Sequence, residues 1–498
     1  MSPSSVRGSR SPVRAADRSG RLVFAGIMLV VSWGVLAFGS PYPWAYIPLA
    51  VGSALIGLSA WSTRAASLAP EQRWPLVALG LVAFGAVVQL VPLPPSLCDA
   101  ISPAGGAVLR QIDLGFASTM AAVENGLIAD LPARPLSIDP AATTRGLLLL
   151  VAFTLLLVGA LQYCNAHGTI RLAQWFVGLG VVIALIGIVQ KAVLGDFVPG
   201  GMKLYGVWTP IGRMATPFGP FVNKNHYAGW MLMAIPVALG YFLSQAEIGL
   251  RHLRPGWRLR FLWLSSPEGG RLQLAAFAVV IMSAALVMTL SRSGIACFGM
   301  AMAIAALVVA RRQGSMRARL GMVAAIGVLV AAPLLWANMN VTQRFSTSND
   351  ESLRLRRGIW SDTLRIIRDF PAVGTGLDTL GAAMRAYQTT HEDQNVREAH
   401  NDYLQIAAEG GFLIGLPALA AFVLLVVSIR RRFTAGEDDP STSWIRFGAA
   451  TGLAAVALQS LVEFSLQMPG NAVLFVVLCA MALHRTPHTA GAPSGVLR

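Results

Sequence analysis

Charge is scarce in this 498-residue sequence, in which Asp, Glu, Lys and Arg together make up only 13% of the residues. Soluble globular domains carry about 25% charged residues. Here 55% of the residues are hydrophobic and the mean hydropathy is +0.59. A soluble globular protein is therefore excluded, and the composition predicts an all-α polytopic membrane protein.

Cysteine and cofactor motifs are also scarce. Three of the four cysteines, Cys164, Cys297 and Cys479, lie in or beside apolar runs, and only Cys98 lies in a segment predicted to face outward. No disulfide framework is available from such an arrangement. The chain has no phosphate-binding loop of the nucleotide-hydrolase type, no glycine-rich dinucleotide fingerprint and no Asp-x-Asp pair. We therefore expect neither a metal nor another cofactor.

The charges that are present favour the basic side, with 39 Lys and Arg against 24 Asp and Glu. The basic residues are spread among short segments between apolar runs, which indicates membrane topology rather than nucleic-acid binding. The segments assigned to the cytoplasm carry most of the Lys and Arg, whereas most of the acids lie elsewhere. Both termini are therefore predicted to be cytoplasmic, and no nucleic-acid partner is expected.

Apolar runs of roughly 17 to 23 residues, some of them shorter, predict about 12 transmembrane helices. The predicted spans are 22–39, 44–61, 75–93, 146–163, 175–194, 226–244, 273–291, 294–310, 320–337, 410–429, 447–464 and 471–484. The predicted segments are a disordered basic cytoplasmic tail (1–21), transmembrane helices one to nine (22–337) with periplasmic loops at 94–145 and 195–225, a long periplasmic catalytic loop (338–409), transmembrane helices ten to twelve (410–484) and a cytoplasmic tail (485–498).

The long loop is predicted to contain amphipathic helices. Residues 351–369 have the pattern of a helix that is capped by Asn349 or Asp350 and stopped by Pro371. At 100° per residue, Arg354 and Arg365 point away from the apolar stripe. The predicted stripe consists of Leu353, Arg356, Trp360, Leu364 and Ile367.

Three arginines on separate outer segments are candidates for anion binding. Arg356 on the apolar stripe either reaches lipid headgroups with its guanidinium or clamps a phosphate, whose oxygens match the fixed fork of guanidinium donors. Arg292 interrupts a long apolar stretch at an outer turn and is either functional or a topology anchor. With Arg213 they form a predicted basic pocket at the membrane surface, suited to the diphosphate of a polyprenyl-linked substrate.

His400 is the candidate for proton transfer, because it lies in a polar segment just before an apolar run and imidazole titrates near neutrality. A lone histidine is more often structural, but its neighbours favour function. Asn401, Tyr403 and Gln405 can donate to sugar hydroxyls or orient the imidazole, and Glu409 lies at the predicted membrane edge. The nearby acids and a second histidine suggest a metal site instead, although their spacing matches no compact metal motif.

Taken in order, these segments resemble the O-antigen ligase and O-antigen polymerase superfamily of bacterial membrane glycosyltransferases. Arg213 and the run 219–228 resemble its Arg, then Gly-x-Phe-x-Asn-x-Asn-x-x-Ala segment. The other matching motifs are Leu-Ser-Arg at 290–292, Arg-x-x-x-Trp from Arg356 to Trp360, Pro-x-x-Gly-x-Gly at 371–376 and a His-Asn motif from His400 to Gly411. One departure is that three residues separate Gly411 from Gly415, where the family usually has two.

The resemblance implies a metal-independent, inverting glycosyltransferase of the bacterial inner membrane that uses an undecaprenyl diphosphate-linked glycan as donor. Three arginines would bind the diphosphate, namely Arg213, Arg292 and Arg356. His400 would deprotonate the acceptor hydroxyl. The remaining residues of these motifs would bind substrate or support the site: Asn223, Lys224, Asn225, Trp360, Asn401, Tyr403, Gln405 and Glu409.

The acceptor stays open, because a ligase uses lipid A-core, a polymerase uses a lipid-linked glycan, and a protein O-oligosaccharyltransferase uses Ser or Thr. The segment 463–472 resembles relatives associated with exopolysaccharide, which favours a polymerase. The expected partners besides these substrates are the lipid bilayer and other polysaccharide-assembly proteins. A non-catalytic flippase or exporter of lipid-linked glycans is the alternative from another class, but it needs charges along a central cavity, and the predicted spans are nearly free of charge.

Overall fold

The computed structural model describes residues 12–63, 68–194, 203–210, 215–251, 257–312, 349–390, 395–436 and 438–485, with isolated positions between 316 and 327. The predicted all-α class is confirmed, since these residues form helices and no β-strand beyond isolated bridges. In chain order the helices are α1 (Pro12–Leu36), α2 (Pro43–Thr63), α3 (Pro70–Leu90), α4 (Pro95–Ile101), α5 (Pro103–Ile112), α6 (Leu114–Glu124), α7 (Pro140–His167), α8 (Ile170–Leu194), α9 (Lys224–Arg251), α10 (Trp257–Leu264), α11 (Pro267–Met288), α12 (Arg292–Arg312), α13 (Asn349–Asp369), α14 (Leu380–Tyr387), α15 (Asp402–Ala435), α16 (Pro440–Gln459) and α17 (Pro469–Leu483).

Within the described residues, nine helices are long and apolar enough to cross a membrane, which makes this a multi-pass membrane protein. They are α1 to α3, α7 to α9, α11, α12 and α15, and they coincide with predicted spans one to eight and ten. The ninth predicted span, 320–337, lies outside the described residues apart from isolated positions. The eleventh overlaps α16, which is not among the nine, and the twelfth overlaps the shorter apolar helix α17. A total of about 12 spans stays a prediction, as does the orientation of the loops.

The ends of two helices differ from the predicted segments. Helix α1 begins at Pro12, so residues 12–21 are helical, although disorder was predicted for them. Proline suits a first helical turn, and a helix nucleated in the apolar run extends outward more easily than a new one forms. Helix α15 begins at Asp402, whereas the predicted span begins at about 410.

Helix α9 forms the centre of the bundle, and every residue from 226 to 241 is buried. A helix that is apolar on all sides belongs in the interior. Helix α16 packs closely against it, because a Cβ atom added at Gly448 would lie only 2.3 Å from the carbonyl oxygen of Pro236. This close contact fixes the middle of α9 against the middle of α16.

The segment predicted as a periplasmic loop at 94–145 packs on the long polar segment. Val108 and Leu109 of α5 share a buried apolar cluster with Ile359 and Ile366 of α13. An antiparallel backbone bridge between residues 93 and 134 joins the two ends of the loop. Helix α5 therefore packs against α13 and α14.

Helix α13 confirms the helix predicted at 351–369, but the predicted stripe was wrong in part. Ile359, Thr363 and Ile366 are buried, whereas Leu364 is 53% exposed. The Thr363 hydroxyl donates to the carbonyl oxygen of Ile359 at 2.7 Å. A threonine bonded in this way can be buried, which a stripe defined by apolar residues alone does not anticipate.

Candidate active site

The glycine-rich turn 371–376 fits into a kink in helix α15. The kink lies at Gly411, where φ is +52°. The two backbone N–H groups after it, at 412–413, donate to carbonyl oxygens of the turn at 2.8 and 3.0 Å. A Cβ atom on Gly374, where φ is +69°, would lie 2.2 Å from the carbonyl oxygen of Glu409. The turn and the kink can therefore approach this closely only because both positions are glycine.

The Glu409 side chain holds the segment that follows this turn by accepting hydrogen bonds from its backbone. Its Oε2 accepts from the backbone N–H of Asp378 at 2.8 Å, and its Oε1 accepts from the backbone N–H of Leu380 at 3.2 Å and from Nε2 of Gln405 at 3.1 Å. Leu380 is the first residue of α14, where a carboxylate complements the helix dipole. Glu409 is buried and joins the start of α14 to α15.

His400 lies immediately before α15 in a strained backbone conformation, with φ at +50°. Neighbouring side chains hold this backbone. Trp360 Nε1 donates to the carbonyl oxygen of Ala399 at 3.0 Å, and Gln405 Oε1 accepts from the N–H of Ala399 at 3.1 Å. Asn401 caps α15 by accepting from two backbone N–H groups of its first turn, both at 3.0 Å.

The same segment is bonded to the end of α16. Asn401 Nδ2 donates to the carbonyl oxygen of Leu461, and the Tyr403 hydroxyl donates to that of Ala457, each at 2.9 Å. Both residues were predicted to contact substrate or to support the site. In the structure these two side chains donate within the protein, which places His400 against the turn that follows α16.

That turn carries Glu463, a fully buried carboxylate that joins three other parts of the chain. Its Oε1 accepts from Nη2 of Arg356 in α13 and, at 2.7 Å, from Nδ2 of Asn225 in α9. Its Oε2 lies 3.4 Å from Nδ1 of His400. Burial raises the pKa of Glu463, but the hydrogen bond to His400 and the charge of Arg356 outweigh burial and leave the pKa below its ordinary value.

Phe464 brings a second imidazole into the site. Its ring meets those of His226 and His400 edge to face, with centroid distances of 4.6 and 4.7 Å. Nε2 of His226 is buried and has no hydrogen-bond partner among the described residues. The sequence patterns predict no role for His226, Glu463 or Phe464. A glutamate at the end of an apolar run was the available signal for Glu463.

Arg292 is the first residue of α12. It lies two residues after Leu290, which has a positive φ of +51°. A Cβ atom on Gly294 would lie 2.6 Å from Cβ of Ala228. The Arg292 turn therefore packs beside the first turn of α9, the same turn that carries Asn225.

The predicted residues that precede α9 are only partly described. Asn223 Oδ1 accepts from the backbone N–H of Asn225 at 2.9 Å, and the backbone N–H of Lys224 donates to the carbonyl oxygen of Thr216 at 2.8 Å. These contacts shape the start of the helix. Arg213 lies outside the described residues.

The described side chains offer acid–base and anion-binding chemistry. A guanidinium, an ionised carboxylate and two imidazoles converge at one end of the helix bundle. No group of three or more His, Cys, Asp or Glu side chains in the described part of the chain is arranged to hold a metal ion.

A family model described as O-antigen ligase matches residues 277–417, which contain Arg292, Arg356 and His400. This match supports membership of the chain in the O-antigen ligase superfamily. Asn225 precedes the matched range and Glu463 follows it, so the candidate site extends beyond the match at both ends. No curated protein matches the chain.

Proposed function

We propose that this protein is a glycosyltransferase that moves a glycan from an undecaprenyl diphosphate-linked donor to an acceptor hydroxyl at the periplasmic face. The observation that carries the proposal is the meeting of Arg356 and His400 at one buried carboxylate. One side chain is suited to a diphosphate and the other to a hydroxyl proton. The O-antigen ligase match supports a membrane glycosyltransferase-like function.

In the proposed reaction, His400 takes the proton of the acceptor hydroxyl. The acceptor oxygen attacks the anomeric carbon from the face opposite the diphosphate, and the bond from that carbon to the diphosphate oxygen breaks. The electron pair leaves with the diphosphate, and the configuration inverts. Arg213, Arg292 and Arg356 stabilise the leaving charge through a preorganised electrostatic field, which costs no reorganisation during the step.

The position of the cluster supports an enzyme over an exporter. Three of its members come from the first turn of α9, the segment just before α15 and the turn just after α16, so they lie at the ends of helices. The fourth, Arg356, lies within α13, which is not one of the nine candidate membrane spans of the described residues. A transport pathway would instead be expected to place charged groups near mid-membrane.

The first experiment is the lipid and glycan profile of a deletion strain complemented with wild type, His400→Ala or Arg292→Ala. We expect both variants to insert normally and to fail in transfer. His167→Ala, at the last residue of α7 and outside the cluster, is the matched control and is expected to transfer normally. Normal transfer by both site variants would refute the assignment.

The species that accumulates in the deletion strain identifies the acceptor. Long lipid-linked polymer without the finished surface conjugate indicates a ligase. Single lipid-linked repeat units indicate a polymerase, which is the form favoured by the resemblance of segment 463–472.

A further inference from the structure

Glu463 stands where the two proposed functional groups meet. We propose that it is a positioning residue, which fixes the tautomer of His400 and holds Arg356 beside it. This inference rests on the proposed function, because it concerns the same base and the same diphosphate-binding arginine.

The two carboxylate oxygens of Glu463 have separate partners. Oε1 accepts from Arg356 and from Asn225, whereas Oε2 faces Nδ1 of His400. The Glu463 backbone N–H also donates to the carbonyl oxygen of Gln459 at 2.9 Å. With the side chain fully buried and Oε1 bonded on two sides, the direction of Oε2 is fixed.

An ionised carboxylate can only accept hydrogen bonds, so the imidazole must donate from Nδ1. The lone pair of neutral His400 then lies on Nε2, which becomes the nitrogen that takes the acceptor proton. Proton transfer leaves an imidazolium next to the Glu463 carboxylate, which stabilises the charge. The 3.4 Å separation suits this role, because catalytic hydrogen bonds are often long before substrate binds.

Glu463 also holds Arg356, but it bonds to only one nitrogen of the guanidinium. Only Nη2 bonds to Glu463, and a fifth of the side chain is exposed. A guanidinium has five N–H donors in a fixed fork, so further donors remain for phosphate oxygens. Glu463 thereby sets the distance between the group that binds the leaving diphosphate and the group that activates the nucleophile.

Other ionisable groups surround this carboxylate, and any spectroscopic titration of the site must include them. The groups within electrostatic reach of Glu463 are Arg356, His400, His226, Asp402 and Cys297.

The test compares Glu463→Gln, Glu463→Asp and the control Glu124→Gln, whose exposed ion pair with Arg110 lies far outside the cluster in sequence and is expected to matter little. Gln conserves the size of Glu463 but presents an amide N–H to His400, which favours the wrong tautomer. Asp conserves the charge and loses a methylene group. If Glu463 acted only through packing, Gln would be the better replacement.

Transfer is measured in membrane vesicles that contain the strain's own lipid-linked glycan. We expect Gln to lower the transfer rate by about 100-fold or more, as amide substitution does in a carboxylate–histidine pair. Asp is expected to retain more activity than Gln, and Glu124→Gln to match wild type. Equal or greater activity of Gln relative to Asp would overturn the proposal.

A second measurement does not depend on the Glu463 variants, because the tautomer of His400 is observed in the wild-type protein. In purified full-length protein labelled with ¹⁵N-histidine, the His400 signal is identified among the seven histidines by its loss in His400→Ala. We expect neutral His400 in wild type to carry its proton on Nδ1, and a proton on Nε2 would overturn the inference. Full transfer by His400→Ala would instead refute the proposed function, so the two failures are distinguishable.

Discussion

Gln89, in the last turn of α3, joins this membrane helix to the turn 371–376 beside the candidate active site. Its Nε2 donates to the carbonyl oxygens of Val373 at 2.6 Å and Glu409 at 2.8 Å, and its Oε1 accepts from the backbone N–H of Leu377 at 3.0 Å. Gln89 is only 1% exposed. We expect Gln89→Leu, which keeps the size of the side chain but removes all three bonds, to loosen the turn 371–376.

The expected loss of stability follows from the number of polar groups that Gln89→Leu would leave without a partner. The carbonyl oxygen of Glu409 keeps a second donor, the backbone N–H of Gly376 at 3.0 Å. The buried carbonyl of Val373 and the half-buried N–H of Leu377 would each lose Gln89 as a partner. An unsatisfied buried polar group costs about 1–3 kcal/mol, so the free energy of unfolding should fall by about 2–6 kcal/mol.

The assay should be local, because a protein with many spans does not unfold in one two-state step. Hydrogen–deuterium exchange of peptides covering 371–377 should accelerate in Gln89→Leu, and the midpoint of thermal denaturation in detergent should fall. Gln273→Leu is the matched control, since Gln273 is exposed and donates one 2.8 Å bond to the carbonyl oxygen of Leu264. Equal exchange in the two variants would refute the role assigned to Gln89.

Two further predictions concern the same part of the molecule. Burial, reinforced by nearby carboxylates, raises the pKa of Glu398 from its ordinary value of 4.5 to about 7. The folded protein therefore holds a proton that the unfolded chain releases, and stability falls as pH rises from about 4.5 to 7. Glu398→Gln should weaken this dependence in thermal denaturation at pH 5 and pH 8, and an unchanged dependence would contradict it. Gly411→Ala should destabilise the protein by at least about 1–3 kcal/mol because φ is positive there, whereas Gly415→Ala, with no atom within 4 Å of its added Cβ, should be neutral or mildly stabilising. Equal melting temperatures of these two glycine variants would show that the kink is not required.

The sequence predicted the helices well where hydrophobicity alone decides them. The first eight predicted spans and the tenth coincide with apolar helices. An apolar run of sufficient length has few alternatives to a helix in lipid, because its backbone groups must be hydrogen-bonded internally. It also selected Arg356 and His400, since ionisable side chains stand out in an apolar chain. The partner that joins them could not be found in this way, because Glu463 lies 107 residues from Arg356 and 63 from His400.

Sequence patterns were less informative about what each polar side chain does. Asn401 and Tyr403 look like donors for a sugar, yet both bond to backbone carbonyls of the segment 457–461. Residue type states what a group can donate, whereas the fold decides which acceptor lies within reach. The same limit applies to helix α13, where Leu364 is exposed and its neighbour Thr363 is buried. A stripe of apolar residues does not show that the Thr363 hydroxyl finds a hydrogen-bond partner and can therefore be buried.

A buried carboxylate is a poor source of stability in a bundle of apolar helices. Its desolvation penalty can exceed the gain from its partners, and apolar replacements of buried ion pairs are often neutral or stabilising. Glu463 is nevertheless fully buried and bonded to groups from three separate parts of the chain. An apolar side chain could fill this position, but it could neither orient an imidazole nor hold a guanidinium at a set distance from it. The charge at 463 is therefore better explained by a reaction that generates positive charge on His400 than by the stability of the fold.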